Sequence, residues 1–141
     1  MIGAVMAKKK ACSSFDAINR HDLAKCMAGW AEDATWTFPG NISISGETKS
    51  KKAIEACFAK WMEHFPKIDF KIKEVFVSNI FALGATNNIA VEWDITETNP
   101  EGKVFLNSGV TIIQVKCGKA VAVREYLFNT DILKEQWRGI S

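Results

Sequence analysis

Val104–Phe128 reads VFLNSGVTIIQVKCGKAVAVREYLF, and this stretch decides the fold. β-Branched and aromatic residues fill both of its arms, while Lys116-Cys117-Gly118-Lys119 carries the glycine that a tight turn requires. Two long strands joined as a hairpin are therefore expected. Upstream, Ile89–Glu97 (IAVEWDITE) alternates apolar and polar residues and runs into the turn signal Asn99-Pro100-Glu101-Gly102. The expectation is three consecutive antiparallel strands, a meander whose apolar face must be covered. The helical patterns earlier in the chain are the available cover.

The bounds are those of one domain over residues 1–141, long enough to bury most of its apolar side chains. A net charge of +2 is far from the basic excess of nucleic-acid binders, so no nucleic-acid partner is expected. Cys12, Cys26, Cys57 and Cys117 are scattered without paired spacing, and the chain has only two His. That argues against a zinc site and for free, buried thiols in a reducing compartment. No metal or other cofactor is expected. Lys8-Lys9-Lys10 follows the apolar start of the chain, where an export signal has its charges first, and no apolar run is long enough for a membrane. A cytoplasmic protein is the expectation.

In chain order, a first helix is expected over Lys8–Asn19, with Phe15 and Ile18 on its apolar stripe, and a second from the cap Asp22 through Trp30. Ala34–Phe38 is a short strand stopped by Pro39-Gly40, and a loop containing Gly46 follows. Ser50 caps the strongest helix, Lys51–His64, with Ile54, Cys57, Phe58, Trp61 and Phe65 at helical spacing and Pro66 closing it. Ile68–Ser78 alternates as a strand with one wet face. Within Asn79–Asn88, Gly84 and Asn87-Asn88 read as a turn, and a last helix is expected over Asp131–Trp137, capped by Asn129 or Thr130.

Four pieces in this order carry a family resemblance: FDAINRHDL from Phe15, AEDATWTFPG from Ala31, SGETKSKKAIEACF from Ser45, and GKAVAVREYL from Gly118. Over Phe15–Trp137 the chain resembles the SnoaL-like branch of the nuclear-transport-factor-2-like superfamily, which also holds the ketosteroid isomerases. The resemblance implies an α+β fold in which a strongly curved antiparallel sheet wraps a long helix as a cone. It also implies an apolar pocket at one end and pairing of two copies through their sheets. Relatives include polyketide cyclases, isomerases, hydrolases and proteins that only bind, so the fold implies a pocket and not a reaction.

Residue by residue, the resemblance implies losses. The isomerases' general-base carboxylate falls at Phe38, their helix phenol at Ser14 and their strand carboxyl at Val110 or Thr111. The cyclases' Asp falls at Phe128, or at Asn129 with a slip of one, and the nearest carboxylate, Asp131, reads as a first-turn helix residue. Of the remaining groups, Asp94 shares a strand face with Glu92 and Thr96, opposite Val91, Trp93 and Ile95. That row is solvated or dimer-facing, unless it turns inward at the cone's mouth, where Asp94 would handle protons. Tyr126 either offers its hydroxyl to a ligand carbonyl or fills the core. His64 suits a helix C-terminus, and His21 reads as exposed in a turn. Arg124 and Glu125 are neighbours and point to opposite faces.

The aromatics say more than the charges. Trp36, Phe38, Phe58, Trp61, Met62, Trp93 and Phe128, with Asn107 or Ser108 as the inward polar group, suggest a pocket for a small apolar or polycyclic molecule. Two functions remain open: a metal-free acid/base enzyme of cyclase, isomerase or hydrolase kind acting through Asp94 or Tyr126, and a non-catalytic, dimeric binding or interaction module. The discriminator is whether any ionisable side chain reaches the cavity.

Overall fold

The computed structural model describes residues 2–80 and 86–141. Helices α1 (Ile2–Asn19) and α2 (Leu23–Met27) lead into strands β1 (Trp30–Phe38) and β2 (Gly46–Lys49). Helix α3 (Lys51–His64) follows, then β3 (Lys67–Val77), β4 (Asn87–Thr98), β5 (Val104–Lys116) and β6 (Lys119–Leu127), with one turn of helix, α4 (Leu133–Gln136), last. The strands form one sheet in the order β2-β1-β6-β5-β4-β3. β3 to β6 make the expected antiparallel meander, with β5 and β6 joined at Lys116↔Lys119 and Cys117 at φ +51° in the turn. β1, however, runs parallel to β6, so the sheet is mixed rather than wholly antiparallel. The long connection between β1 and β6 places no hairpin constraint on their relative direction.

The sheet packs around α3, and ring contacts tie strands from its two sides to that helix. Phe58 and Trp61, neighbours on α3 with ring centroids 5.7 Å apart, reach opposite ends of the sheet. Phe58 meets Trp36 of β1 at 5.1 Å, and Trp61 meets Phe70 of β3 at 5.8 Å. In a flat sheet, four strand spacings would hold β1 and β3 about 19 Å apart. Register shifts at Ile72/Glu74 and Gln114/Val115 supply local bends, and Asn19 at the end of α1 clamps the Phe70 backbone through its N–H and C=O.

Several boundaries differ from the expectation. α1 starts at Ile2, because Ala, Met and Lys are good helix formers, although Ile2, Val5 and Met6 stay exposed. α2 stops at Met27: Gly29 gives its carbonyl to Ala120 N–H, and Trp30 opens β1 instead of closing a helix. β2 was expected as loop; four polar-leaning residues at a sheet edge carry little strand signal. Asn87 and Asn88 belong to β4, not to a turn, whereas the expected Gly84 turn position lies outside the described residues. α4 is four residues long with no side-chain cap, and Asp131 lies ahead of it rather than in its first turn. All four cysteines are free thiols, but only Cys26 is buried, and Cys117 is exposed. His21 is half-buried, its Nε2–H donating to the Phe65 carbonyl at 2.8 Å. No helix is long and apolar enough to cross a membrane among the described residues.

Candidate functional site

Between α3 and the concave face of the sheet lies an aromatic cavity. Trp36, Phe38, Phe58, Trp61, Phe70 and Trp93 form its walls, and Leu133 and Trp137 of the C-terminal segment contribute to its lining. Its volume is about 50 Å³. One water needs at least about 10–15 Å³, so this is room for a small molecule and not for a polycyclic one. Phe38, Asn107 and Leu127 line it while remaining only half-buried. Four polar side chains face this cavity: Glu97, Asn107, Glu125 and Gln136.

Glu125 projects inward from β6, where Val123 is buried on the same face and Arg124 points to solvent. Trp36 Nε1–H donates to its Oε1 at 3.2 Å, and the Thr111 hydroxyl donates to Oε2 at 2.6 Å. Thr111 Oγ1 also accepts Trp93 Nε1–H at 2.8 Å, and with Glu125 ionised its hydroxyl is the donor to the carboxylate. The chain of donors Trp93→Thr111→Glu125 fixes the carboxyl's orientation. Burial nevertheless pushes its pKa up, against the lowering effect of the two hydrogen bonds.

Glu97 ends the inward row of β4, after Val91, Trp93 and Ile95, and is 5% exposed. Trp61 Nε1–H donates to its Oε1, and Gln136 Nε2–H to its Oε2. Burial raises its pKa to about 7, the two hydrogen bonds opposing the shift. No basic side chain lies within ion-pair distance of either glutamate among the described residues. Two carboxyls with raised pKa values in one apolar cavity make a site competent for proton transfer.

The residues named from sequence divide cleanly. Trp36, Phe38, Phe58, Trp61, Trp93 and Asn107 line the cavity. Met62 is buried in the core beside it. Asp94, on the outer face of β4, is half-exposed and lies 4.0 Å from Lys73 Nζ, which is also 3.7 Å from Glu92. Tyr126 and Phe128 face outward, 54% and 91% exposed, because the strand parity that turns Glu125 inward turns them away. Asp94 lines an open surface depression of about 430 Å³, together with Leu106, Asn107, Ser108 and Phe128. His64 stacks on Trp137 at 6.5 Å, and Cys26, its pKa pushed up to about 12 by burial and then by Asp22, is no nucleophile.

A family model described as SnoaL-like domain matches residues 13–123. The chain belongs to the SnoaL-like family. Among solved structures, Bal32a from a soil-derived mobile gene cassette superposes with a TM-score of 0.82 at 20% identity, over 96% of this chain and 98% of that one. A protein of unknown function with a cystatin-like fold from Xanthomonas campestris gives 0.71 at 23% identity, over 92% and 95%. TerC, co-crystallised with polyporic acid, gives 0.70 at 15% identity, over 91% and 95%. No curated protein matches the chain.

The positions expected to match the isomerases' proton-handling groups, Phe38, Ser14 and Val110 or Thr111, carry no carboxyl, yet the cavity has two, Glu97 and Glu125. Thr111 pairs directly with Glu125 across β5 and β6, so a carboxyl reaches the Thr111 hydroxyl from the neighbouring strand. Sequence reasoning missed both glutamates by searching the polar rows for ionisable groups. The available signal was the reverse: a Glu that keeps the parity of an apolar row, Val91-Trp93-Ile95-Glu97 and Val121-Val123-Glu125-Leu127. Glu125, Leu133, Gln136 and Trp137 also lie beyond the segment matched by the family model.

Proposed function

We propose that this SnoaL-like protein is a general acid/base enzyme acting on a compact, flat, largely apolar molecule bound between α3 and the sheet. The observation that carries the reading is a pair of carboxyls, the buried Glu97 and the half-buried Glu125, in a cavity otherwise walled by aromatic rings. Glu125 is the proton-transfer group. Trp36 and Thr111 occupy one lone pair on each of its oxygens, leaving capacity toward the cavity, and burial raises its pKa above the ordinary carboxylate value. The walls exclude water and hold the ring plane. The small volume favours single-ring substrates over polycyclic ones. TerC with polyporic acid is a precedent for an organic ligand on this fold.

The test is a thermal-shift screen of single-ring ketones, phenols, alcohols and amines, followed by turnover assays on the compounds that bind. A ligand at one hundred times its Kd raises stability by roughly 2.7 kcal/mol. Binding is expected to disappear in Phe38→Asp. Glu125→Gln, which keeps an acceptor for Trp36, is expected to lower kcat/KM by roughly 10²- to 10⁴-fold. Unchanged turnover in that variant would remove Glu125 from the chemistry.

A homodimer accompanies this reading. Leu106, Tyr126 and Phe128 are large, exposed and on the outer face of adjacent strands β5 and β6 or just past it, an arrangement that favours association. Light scattering at micromolar concentration is expected to give twice the 15.7 kDa chain mass, falling to the single mass in Leu106→Lys/Phe128→Lys. A monomeric wild type refutes the pairing.

A further inference from the structure

The polar equipment of the cavity is unbalanced. The indole N–H groups of Trp36, Trp61 and Trp93 are all committed, to Glu125, Glu97 and Thr111 respectively. Asn107 spends its amide on the Asn129 backbone, donating through Nδ2 to the carbonyl and accepting the N–H at Oδ1. On the acceptor side, Gln136 Nε2 is held by Glu97 while Gln136 Oε1 is buried with no hydrogen-bond partner among the described residues, in a side chain only 4% exposed. Turning that amide over would only exchange which of its ends is unpartnered, and with Glu97 ionised the carboxylate requires the NH₂ end. Oε1 sits on the same carbon as the nitrogen bonded to Glu97, so a carboxylate and a neutral acceptor stand side by side. No basic side chain lines this cavity among the described residues.

A buried carboxylate without a counter-charge and a buried carbonyl without a donor are both costly, and one kind of ligand relieves both. We propose that the Glu97–Gln136 pair is the seat of a ligand ammonium group, and that the molecule bound is a compact single-ring amine in its protonated form. The ammonium has three donors, enough for the Glu97 carboxylate and Gln136 Oε1 together. Its charge is also favoured by the faces of the surrounding Trp and Phe rings. The ring fills the space among Phe58, Trp61 and Trp93. A carboxylate ligand would meet two carboxyls and no cation. The proposal rests on the cavity being the ligand site, and specifies the chemistry it selects.

Calorimetric titration at pH 8, where Glu97 is ionised, with benzylammonium, benzyl alcohol and benzoate separates the possibilities. The expected order is benzylammonium tightest, benzyl alcohol weaker, benzoate without binding. Glu97→Gln is expected to weaken benzylammonium by about tenfold or more and benzyl alcohol by a smaller factor, with circular dichroism and thermal unfolding certifying that the variant is folded. Gln136→Leu is expected to weaken the amine by a smaller factor. If benzyl alcohol or benzoate binds at least as tightly as the amine, or if Glu97→Gln leaves the amine unaffected, the ammonium seat is overturned while the aromatic cavity remains the ligand site. If none of the three binds, the ammonium seat is equally overturned.

Discussion

Gly109→Ala is expected to destabilise the protein by about 3 kcal/mol, the upper end of overpacking costs. Gly109 of β5 faces Trp93 of β4 across the ladder, and the indole lies directly over it. A Cβ there would stand 2.2 Å from the Tyr126 carbonyl oxygen and 2.7 and 2.9 Å from two carbons of the Trp93 ring. The carbonyl is backbone and cannot rotate away, so either the β5–β6 pairing opens or the indole is driven toward the cavity. Either movement breaks Trp93 Nε1–H to Thr111 and, with it, the directed donor onto Glu125. Urea denaturation measures the loss, and near-ultraviolet circular dichroism reports the indole. A change under about 0.5 kcal/mol would mean that the strand separation at Gly109 is not set by this contact. The same substitution is expected to impair Glu125 chemistry, which links the site to one hydrogen atom on a β-strand.

Stability is expected to fall as the pH rises from 5 to 8, the opposite of the trend set by ion-paired surface carboxylates. The folded pKa of Glu97 is about 7 against an ordinary 4.5. Between those values the folded state holds a proton that the unfolded state has released, so raising the pH favours unfolding. The stabilisation is fully present below about 4.5 and is lost as the pH rises through 7. A displacement of 2.5 units corresponds to about 3 kcal/mol. Glu125, also raised by burial, adds a contribution of the same sign. Glu135, held low by Lys103, acts in the opposite sense but is fully exposed and screened. Urea midpoints for wild type and Glu97→Gln at both pH values isolate the effect. The variant is expected to lose most of the wild-type slope, and an unchanged slope would place the titration elsewhere.

These two expectations come from one arrangement, in which indoles rather than cations hold buried carboxyls. Trp36 and Trp61 flank Phe58 at 5.1 and 5.7 Å, so this wall ring on α3 also spaces the two donors. An indole N–H stabilises a carboxylate less than a guanidinium does, so burial still raises the pKa of both carboxyls. Glu97 and Glu125 line the cavity, so the condition that separates an acid/base enzyme from a binding module, an ionisable side chain reaching the cavity, is met.

Local pattern alone determined much of this protein. The Ser50 cap and Pro66 bound α3, and its apolar spacing selects the face carrying Ile54 and Phe58. Alternation located β3, β4 and the β5–β6 hairpin, because period-two burial is written residue by residue. Even the inward direction of Glu97 and Glu125 is implicit in strand parity. What neighbouring residues do not contain is which distant groups meet them. Trp36 reaches Glu125 across 89 positions, Trp61 reaches Glu97 across 36, and Gln136 reaches Glu97 across 39. The parallel docking of β1 on β6 and the curvature that brings both sheet ends onto α3 are likewise set by packing over the whole chain. Side-chain identity decided which groups would be buried. Only tertiary structure decided that a carboxyl's burial would be shared with an indole, an amide and a cavity, because hydrogen bonds and desolvation depend on distance in space and not on distance along the chain.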